Sequence, residues 1–441
     1  MFFIPDRMRY PWVLNLWAVA AAFGTYFCMY MYRKPFTAAG FVGDTLFGLD
    51  EKPVLVSAQV IGYLLSKIIG IRLISEVTRP WRAAMILALI AMAQIALLLF
   101  AIAPRPWHVA CMFLNGLPLG MVFGLVLGSL EGRRMTEALA AGLCASFILA
   151  GGVSKTLGQQ VLDYTQTLGW SLGLSERWMP FLSGLVFLPP VLVCCWMLHQ
   201  IPPPDAEDEA SRSRREPMRS EDRRRVLQVY SLGLAAIAGM YLLLSILRSL
   251  RDDFAREILL GLGTEIQSKD YANIDFWVML LVTVVNGSAV FVKDNQRALR
   301  ISFGVCASGF AVILLSVLWH LFGAPIDPKF LMVLLGAGLY LPYVAVHTTV
   351  FERIIACTRD RANVGFLMYV ADSVGYFGYA GLILGKNFFL GKLSESEFAA
   401  SFLWIAMFGA LISIVLVAIA SIRFRGLTET HTGGGASLTS G

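Results

Sequence analysis

The sequence predicts an all-α membrane protein: twelve transmembrane helices in two pseudo-symmetric six-helix bundles. Three observations predict it. Apolar runs of ~20 residues recur along the whole chain, the length a helix needs to cross ~30 Å of hydrocarbon. Mean hydropathy is +0.67 and charged residues are 15% of the 441, where soluble domains carry about a quarter. One charged linker, "HQIPPPDAEDEASRSRREPMRSEDRRR", divides the chain into halves of similar length.

The spans fall near 12–40, 53–75, 83–103, 107–130, 136–162, 178–199, 227–250, 272–292, 299–322, 329–351, 364–388 and 398–422. The first is long for one span, with Pro35 placed to bend it. It also contains Ala18-Val19-Ala20, an A-x-A cleavage pattern. The apolar run continues past that point to Tyr32, so a first membrane helix is expected and not a signal peptide. These spans imply an N-terminal bundle over 1–198, a solvated linker over 199–225 and a C-terminal bundle over 226–426. The tail, 427–441, ends "TETHTGGGASLTSG" and reads as disordered.

Lysines and arginines set the orientation. Of the 36, 22 lie on the side of the termini and the linker, 11 on the other, and Lys67, Lys155 and Arg248 inside spans. The richer side is the cytoplasm, so both termini are expected there. A bacterial inner membrane is the expected location, and a monomer the expected unit. The net charge of +6 is accounted for by topology, and no nucleic acid is implied. The seven cysteines show no metal spacing and read as small packing residues.

A charge at mid-membrane is expensive and must face protein, water or a ligand. In "MYMYRKPFTAAGF", Arg33 shares a helical face with Tyr26 and Tyr30. Arg33 and Lys34 are either snorkelling cations at the membrane edge or, if the helix runs on toward Phe41, residues of a cavity. In span two, Gly62, Ser66 and Gly70 form a small-residue packing face. Gln59, Tyr63 and Lys67 form a polar face about 100° around the helix. In span seven, Tyr241, Ser245 and Arg248 share a face, with Arg251, Asp252 and Asp253 following, so an ion pair is also open. Lys155 follows "AGGVS", where small residues permit close approach. Span eleven carries Tyr369, Asp372, Tyr376 and Tyr379 on one stripe. Set against Asp372, with Glu131 at the cytoplasmic edge, the five cations Arg33, Lys34, Lys67, Lys155 and Arg248 ask for an anionic guest. Arginine forks match phosphate or carboxylate oxygens.

The halves repeat weakly. Gly24, Tyr26 and Arg33 stand at G-x-Y-x6-R, as do Gly239, Tyr241 and Arg248. Pro118 and Pro342 fall in spans four and ten. This is the parallel repeat of major facilitator transporters.

The stretches "YRKPF" and "SAQVIGYLLSKIIG" resemble helices one and two of the organophosphate:phosphate antiporters of the major facilitator superfamily. "LLSILRSLRDDF" resembles their helix seven. The resemblance implies that Arg33 and Arg248 bind a phosphate, with Lys34 and Lys67 supporting. The S-K-I-I-G sequence has one residue fewer than the family's S-K-x-x-x-G. The family's histidine in span five is absent, with Lys155 in a similar place. "GIRLISEVTRPWR" resembles the superfamily's signature between helices two and three, which implies a cytoplasmic gate of Glu76, Arg79 and Arg82. "LEGRRMTE" and "GVSKTLG" resemble an uncharacterised branch of bacterial membrane proteins with the same fold.

The expected function is secondary active transport of a small organic anion, a phosphate ester among the candidates, by alternating access through a cationic midplane cavity. The substrate-binding residues would be Arg33, Lys34, Arg248, Lys67, Lys155, Tyr26, Tyr30, Tyr63, Gln59, Tyr241 and Tyr376. Asp372 and Glu131 would serve ion pairing or coupling, to a proton or a counter-anion. A membrane sensor that keeps the fold and signals through its linker is the alternative, and a lipid or lysolipid flippase a further variant. His347 and Glu352 stand at H-x4-E, a spacing common by chance. No metal cluster, P-loop or nucleophile elbow appears, so neither an enzyme nor a cofactor is expected.

Overall fold

Each span expected from the apolar runs falls on helix over most of its described length, the first only as far as Tyr30, in the computed structural model, which describes residues 11–41, 45–130, 136–203, 228–288, 292, 294–358, 364–389 and 393–433. The first eight helices are α1 (Pro11–Tyr30), α2 (Glu51–Glu76), α3 (Arg79–Ile102), α4 (His108–Leu119), α5 (Val122–Leu130), α6 (Thr136–Thr167), α7 (Leu172–Val186) and α8 (Leu188–His199). Then follow α9 (Ser231–Asp253), α10 (Ala255–Gly261), α11 (Ser268–Ser288), α12 (Asn295–Phe322), α13 (Pro328–Ala345), α14 (Phe351–Thr358), α15 (Val364–Phe389) and α16 (Glu395–Gly433). A two-stranded hairpin, β1 (Thr45–Leu46) with β2 (Leu49–Asp50), leads into α2. Among the described residues, eight helices are long and apolar enough to cross a membrane, nine with the bent pair α7 and α8 as one span. The three remaining expected spans lie on α6, α11 and α15, which carry the charged residues Lys155, Asp275 and Asp372.

Local chemistry sets the helix ends. Asp294 and Asp327 accept the backbone N–H of Arg297 and Phe330 at 2.6 and 2.9 Å, capping α12 and α13. Pro328 occupies the first turn of α13, where its missing N–H costs nothing. Pro118 precedes the α4–α5 break, and Pro342 precedes a π-helical turn, Val346–Val350. A proline inside a helix removes a ladder hydrogen bond, and the backbone re-forms its pairing around the gap. α16 runs to Gly433, past the start of the tail expected to be disordered.

Two expectations are corrected. α1 ends at Tyr30 and does not run toward Phe41. Past Tyr30 the chain tightens into i→i−3 turns, Tyr32 N–H to the Met29 carbonyl at 3.1 Å and Arg33 N–H to the Tyr30 carbonyl at 3.0 Å, and Pro35, which has no N–H to continue a helical ladder, opens a 3-10 turn, Pro35–Ala38. Yet the alternative tied to a short helix, cations snorkelling at a membrane edge, does not hold either. Arg33 and Lys34 are each 5% exposed.

The described chain forms two compact units. One comprises Met1–Arg212, Leu250–Leu280 and Ala380–Ala400; the other comprises Ser213–Ser249, Leu281–Tyr379 and Ser401–Gly441. The division does not follow the linker, most of which, 204–225, lies outside the described residues. Residues 250–280 belong with the first unit, where Asp252 and Asp253 at the end of α9 pair with Lys34 and Lys155.

In the first unit α2 lies along α4 with little between them. A Cβ on Gly62 would sit 2.3 Å from the Phe113 carbonyl oxygen, and one on Gly116 2.1 Å from that of Gln59. The small-residue face read from Gly62 and Ser66 is the face that makes this approach. α6 closes on α11 in the same way at "AGGVS", where a Cβ on Gly152 would meet the Tyr271 carbonyl at 2.2 Å.

Candidate functional site

The segment after α1 is where the first unit concentrates its polar chemistry. A helix C-terminus leaves carbonyls without partners, and here side chains take them. Asn115 of α4 donates to the Tyr32 and Ala93 carbonyls at 3.0 and 3.2 Å. Gln59 donates to the Arg33 carbonyl at 2.9 Å and to Asn115 Oδ1 at 2.7 Å. Lys52 donates to the Thr37 carbonyl at 2.8 Å and pairs with Glu257 at 2.6 Å. Glu176 accepts the N–H groups of Gly40 and Phe41 at 3.1 and 3.0 Å. Residues 31–41 are thus pinned from α2, α4 and α7.

This pinning places Arg33. Its guanidinium carbon lies 3.9 Å from the centroid of the Tyr63 ring, and Lys67 Nζ lies 5.4 Å from the same centroid. Tyr26 packs edge-on against Tyr30, Phe123 and Phe147. A guanidinium resting on a ring face keeps its N–H donors in its own plane, where planar oxyanions can be met.

Lys34 and Lys155, expected beside a substrate, are ion-paired. Lys34 lies 2.8 Å from Asp252 Oδ2 and also pairs with Asp253. Lys155 lies 2.6 Å from Asp252 Oδ1 and donates to the Asp252 carbonyl at 3.0 Å. Arg251 pairs with Asp275 at 3.0 Å. Three cations and three carboxylates meet in one buried cluster of the first unit. The sequence count of five cations against Asp372 therefore needs correcting, because Asp252, Asp253 and Asp275 were outside it. The sequence reading had left Asp252 and Asp253 open as ion-pair partners of Arg248.

In the second unit Arg248 mirrors Arg33. Its guanidinium carbon lies 4.6 Å from the Tyr343 centroid and 5.9 Å from that of Tyr340. Unlike Arg33 it lies inside its helix, α9, so the internal repeat is kept in chemistry and lost in backbone. Tyr241 stacks on Tyr343 at 5.7 Å and donates to Asp372 Oδ1. Tyr376 is buried and Tyr379 donates to the Ser249 carbonyl at 3.4 Å. His347, set aside in the sequence, joins this group: its Nε2 lies 3.5 Å from Asp372 Oδ1. It lies on a π-helical turn, Val346–Val350.

Glu131 lies outside the described residues. Glu76 closes α2. Arg79 opens α3, and Arg82 donates to the Gly128 carbonyl of α5 within the first unit. Arg79, Arg82, Ser129 and His199 line a cavity of about 240 Å³.

A model of the family described as "Family of unknown function (DUF5690)" matches residues 35–425. The chain belongs to this family. No curated protein matches it. Solved structures do. A D-xylose-proton symporter superposes with TM-score 0.61 at 11% identity, covering 92% of this chain and 97% of its own. A bacterial homologue of the human drug peptide transporters PepT1 and PepT2 gives TM-score 0.59 at 12% identity, with 94% and 99% covered. A bacterial homologue of the human lysosomal transporter Spinster gives 0.58 at 11%, with 95% and 98% covered. This member of the DUF5690 family has the major facilitator fold, twelve transmembrane helices in two six-helix bundles. The likeness to organophosphate:phosphate antiporters rests on the short motifs alone.

Proposed function

We propose that the protein is a secondary active transporter that moves a small organic anion across the membrane by alternating access. The observation that carries this reading is the same device in both units. A buried arginine lies on a tyrosine ring, Arg33 on Tyr63 and Arg248 on Tyr343. The anion-binding residues of this proposal are Arg33, Lys67 and Arg248, while Lys34 and Lys155 pair with Asp252 and Asp253. Tyr26, Tyr30 and Tyr63 support one arginine; Tyr241, Tyr343 and Tyr376 accompany the other. Phosphate esters and carboxylates are the substrate classes whose paired oxygens suit a guanidinium fork. The bacterial inner membrane and a monomeric unit belong to the same proposal, as do cytoplasmic termini, which rest on the distribution of Lys and Arg.

The test is a thermal-shift screen of purified protein with phosphate, sugar phosphates, glycerol phosphate, sulfate and carboxylates. Arg33→Lys and Arg248→Lys are run in parallel. A ligand at ~100 times its dissociation constant stabilises by about 2.7 kcal/mol. Stabilisation of the unsubstituted protein by one anion class, reduced in both variants, supports the proposal. If no anion shifts a well-folded protein, the arginines are structural and the anion reading falls.

A further inference from the structure

The second unit holds a cavity of about 190 Å³ between the start of α12 and the end of α16. Helical spacing builds it. Gln296, Arg300 and Phe303 recur at steps of four and three on one face of α12, and Ser421, Phe424 and Arg425 share a face of α16. The rings of Phe303 and Phe424 stack with centroids 6.4 Å apart, and Phe424 stacks with Tyr230 at 6.1 Å. A Cβ on Gly233 would sit 2.7 Å from the Phe424 ring, so α9 packs directly against it. Phe303 and Phe424 are buried, whereas Gln296, Arg300 and Arg425 are exposed. The cavity thus has a fixed apolar wall and a polar mouth.

The mouth has the chemistry of an oxyanion site. Two guanidiniums, an amide and a hydroxyl can donate hydrogen bonds there. Among the described residues that line the cavity none is acidic, and Asp294, the nearest acid along α12, accepts the Arg297 N–H as the cap of that helix. An anion between the two arginines relieves their mutual repulsion, and each fork matches a pair of phosphate oxygens.

The surroundings point to what carries the phosphate. On α16 Leu411, Ile412, Val415 and Ile422 are exposed, the surface a span turns to lipid, and Arg423 and Arg425 follow directly. On α12 exposed Ile301 adjoins Arg300. The cavity therefore lies where lipid-facing surface gives way to cations, which is the depth of lipid headgroups. Basic pockets between membrane helices at that depth hold anionic headgroups. The volume agrees: it is below the ~300–1,000 Å³ of sites that enclose a whole drug-sized ligand, so it takes a headgroup and leaves the chains outside.

We infer that this cavity binds the phosphate headgroup of an anionic phospholipid. Arg300 and Arg425 take the phosphate oxygens, Gln296 and Ser421 donate to the rest of the headgroup, and the acyl chains lie along the exposed apolar face of α16. The bound lipid bridges the start of α12 and the end of the last span. None of Arg33, Lys67 and Arg248 lines this cavity, and the inference does not rest on transport of an anion.

The test uses delipidated full-length protein in a neutral detergent. It is titrated with phosphatidylglycerol or phosphatidylcholine, and bound lipid is counted by native mass spectrometry. Arg300→Gln with Arg425→Gln removes both cavity arginines. Arg297→Gln with Arg423→Gln makes the same change in net charge at two exposed neighbours that do not line the cavity. All four positions are exposed, where substitutions are usually close to neutral for stability. Phosphatidylglycerol should bind in preference to phosphatidylcholine. Its affinity should fall about thirtyfold in the cavity pair, at about fivefold per arginine, and less than about threefold in the neighbouring pair, whose charges are screened by solvent. Equal losses in the two pairs, or equal binding of the two lipids by the unsubstituted protein, overturn the inference. So does displacement of phosphatidylglycerol by an equal concentration of glycerol phosphate, because the occupant would then be a soluble phosphate and not a lipid.

Discussion

Replacing Asp252 by Asn tests whether the buried cluster of the first unit holds the end of α9 in place. Asp252 is 1% exposed and accepts from two ammoniums, Lys34 at 2.8 Å and Lys155 at 2.6 Å. At an effective dielectric of ~20 each such contact is worth about 6 kcal/mol of gross attraction. Most of that offsets desolvation of the charges, so the net value of the pairs is small. The cost of breaking them is large, because the partners stay buried: about 3–5 kcal/mol when one member of a buried pair is removed. Lys34 keeps Asp253 after the substitution. Lys155 keeps the Asp252 carbonyl, a neutral acceptor. The expected loss is therefore about 3 kcal/mol, the low end of that range. The assay is equilibrium unfolding in mixed micelles, as a double-mutant cycle with Lys155→Met. The double variant should be less destabilised than the sum of the single ones, since it no longer buries the Lys155 charge alone. An Asp252→Asn protein within ~0.5 kcal/mol of the parent, or a cycle with no coupling, would refute the reasoning.

Gly152→Ala should destabilise by about 1–3 kcal/mol, since its Cβ would sit 2.2 Å from the Tyr271 carbonyl oxygen. Gly304→Ala, where a Cβ meets nothing within 4 Å, should be neutral or stabilise by up to about 1 kcal/mol; both are read by the same unfolding measurement. Asn115→Ala leaves the Tyr32 carbonyl and the Gln59 amide without their partner and should cost about 1–3 kcal/mol, with anion-induced stabilisation reduced because the Arg33 segment loosens. Tyr63→Leu removes the ring beneath Arg33 and should lower anion affinity by the worth of a buried cation–π contact, about 2 kcal/mol, measured by calorimetric titration with the anion that the screen selects.

The twelve spans were legible because a span is a local property. About twenty consecutive apolar residues settle whether a helix is stable in hydrocarbon, whatever it packs against. Pro35 is also local, and its bend was expected; that α1 ends before it, at Tyr30, required the structure. The close approaches at Gly62 and "AGGVS" were readable as patterns of small residues, though not which carbonyls they meet.

The electrostatics were not legible, and the reason is distance along the chain. Lys34 and Asp253 are 219 residues apart, and Lys155 and Asp252 97 apart. A count of charges in spans therefore assigned Lys34 and Lys155 to a ligand when the fold supplies their carboxylates. His347 shows the same limit in a second way. Its Nε2 lies 3.5 Å from Asp372 Oδ1, on a different helix, and periodicity along its own helix says nothing of a neighbour on another. The sequence by itself determined which segments cross the membrane, because burying apolar surface in lipid requires no partner. Only the tertiary structure decided which charges neutralise one another and which meet on tyrosine, because the energy of a buried charge is set by the few ångströms around it.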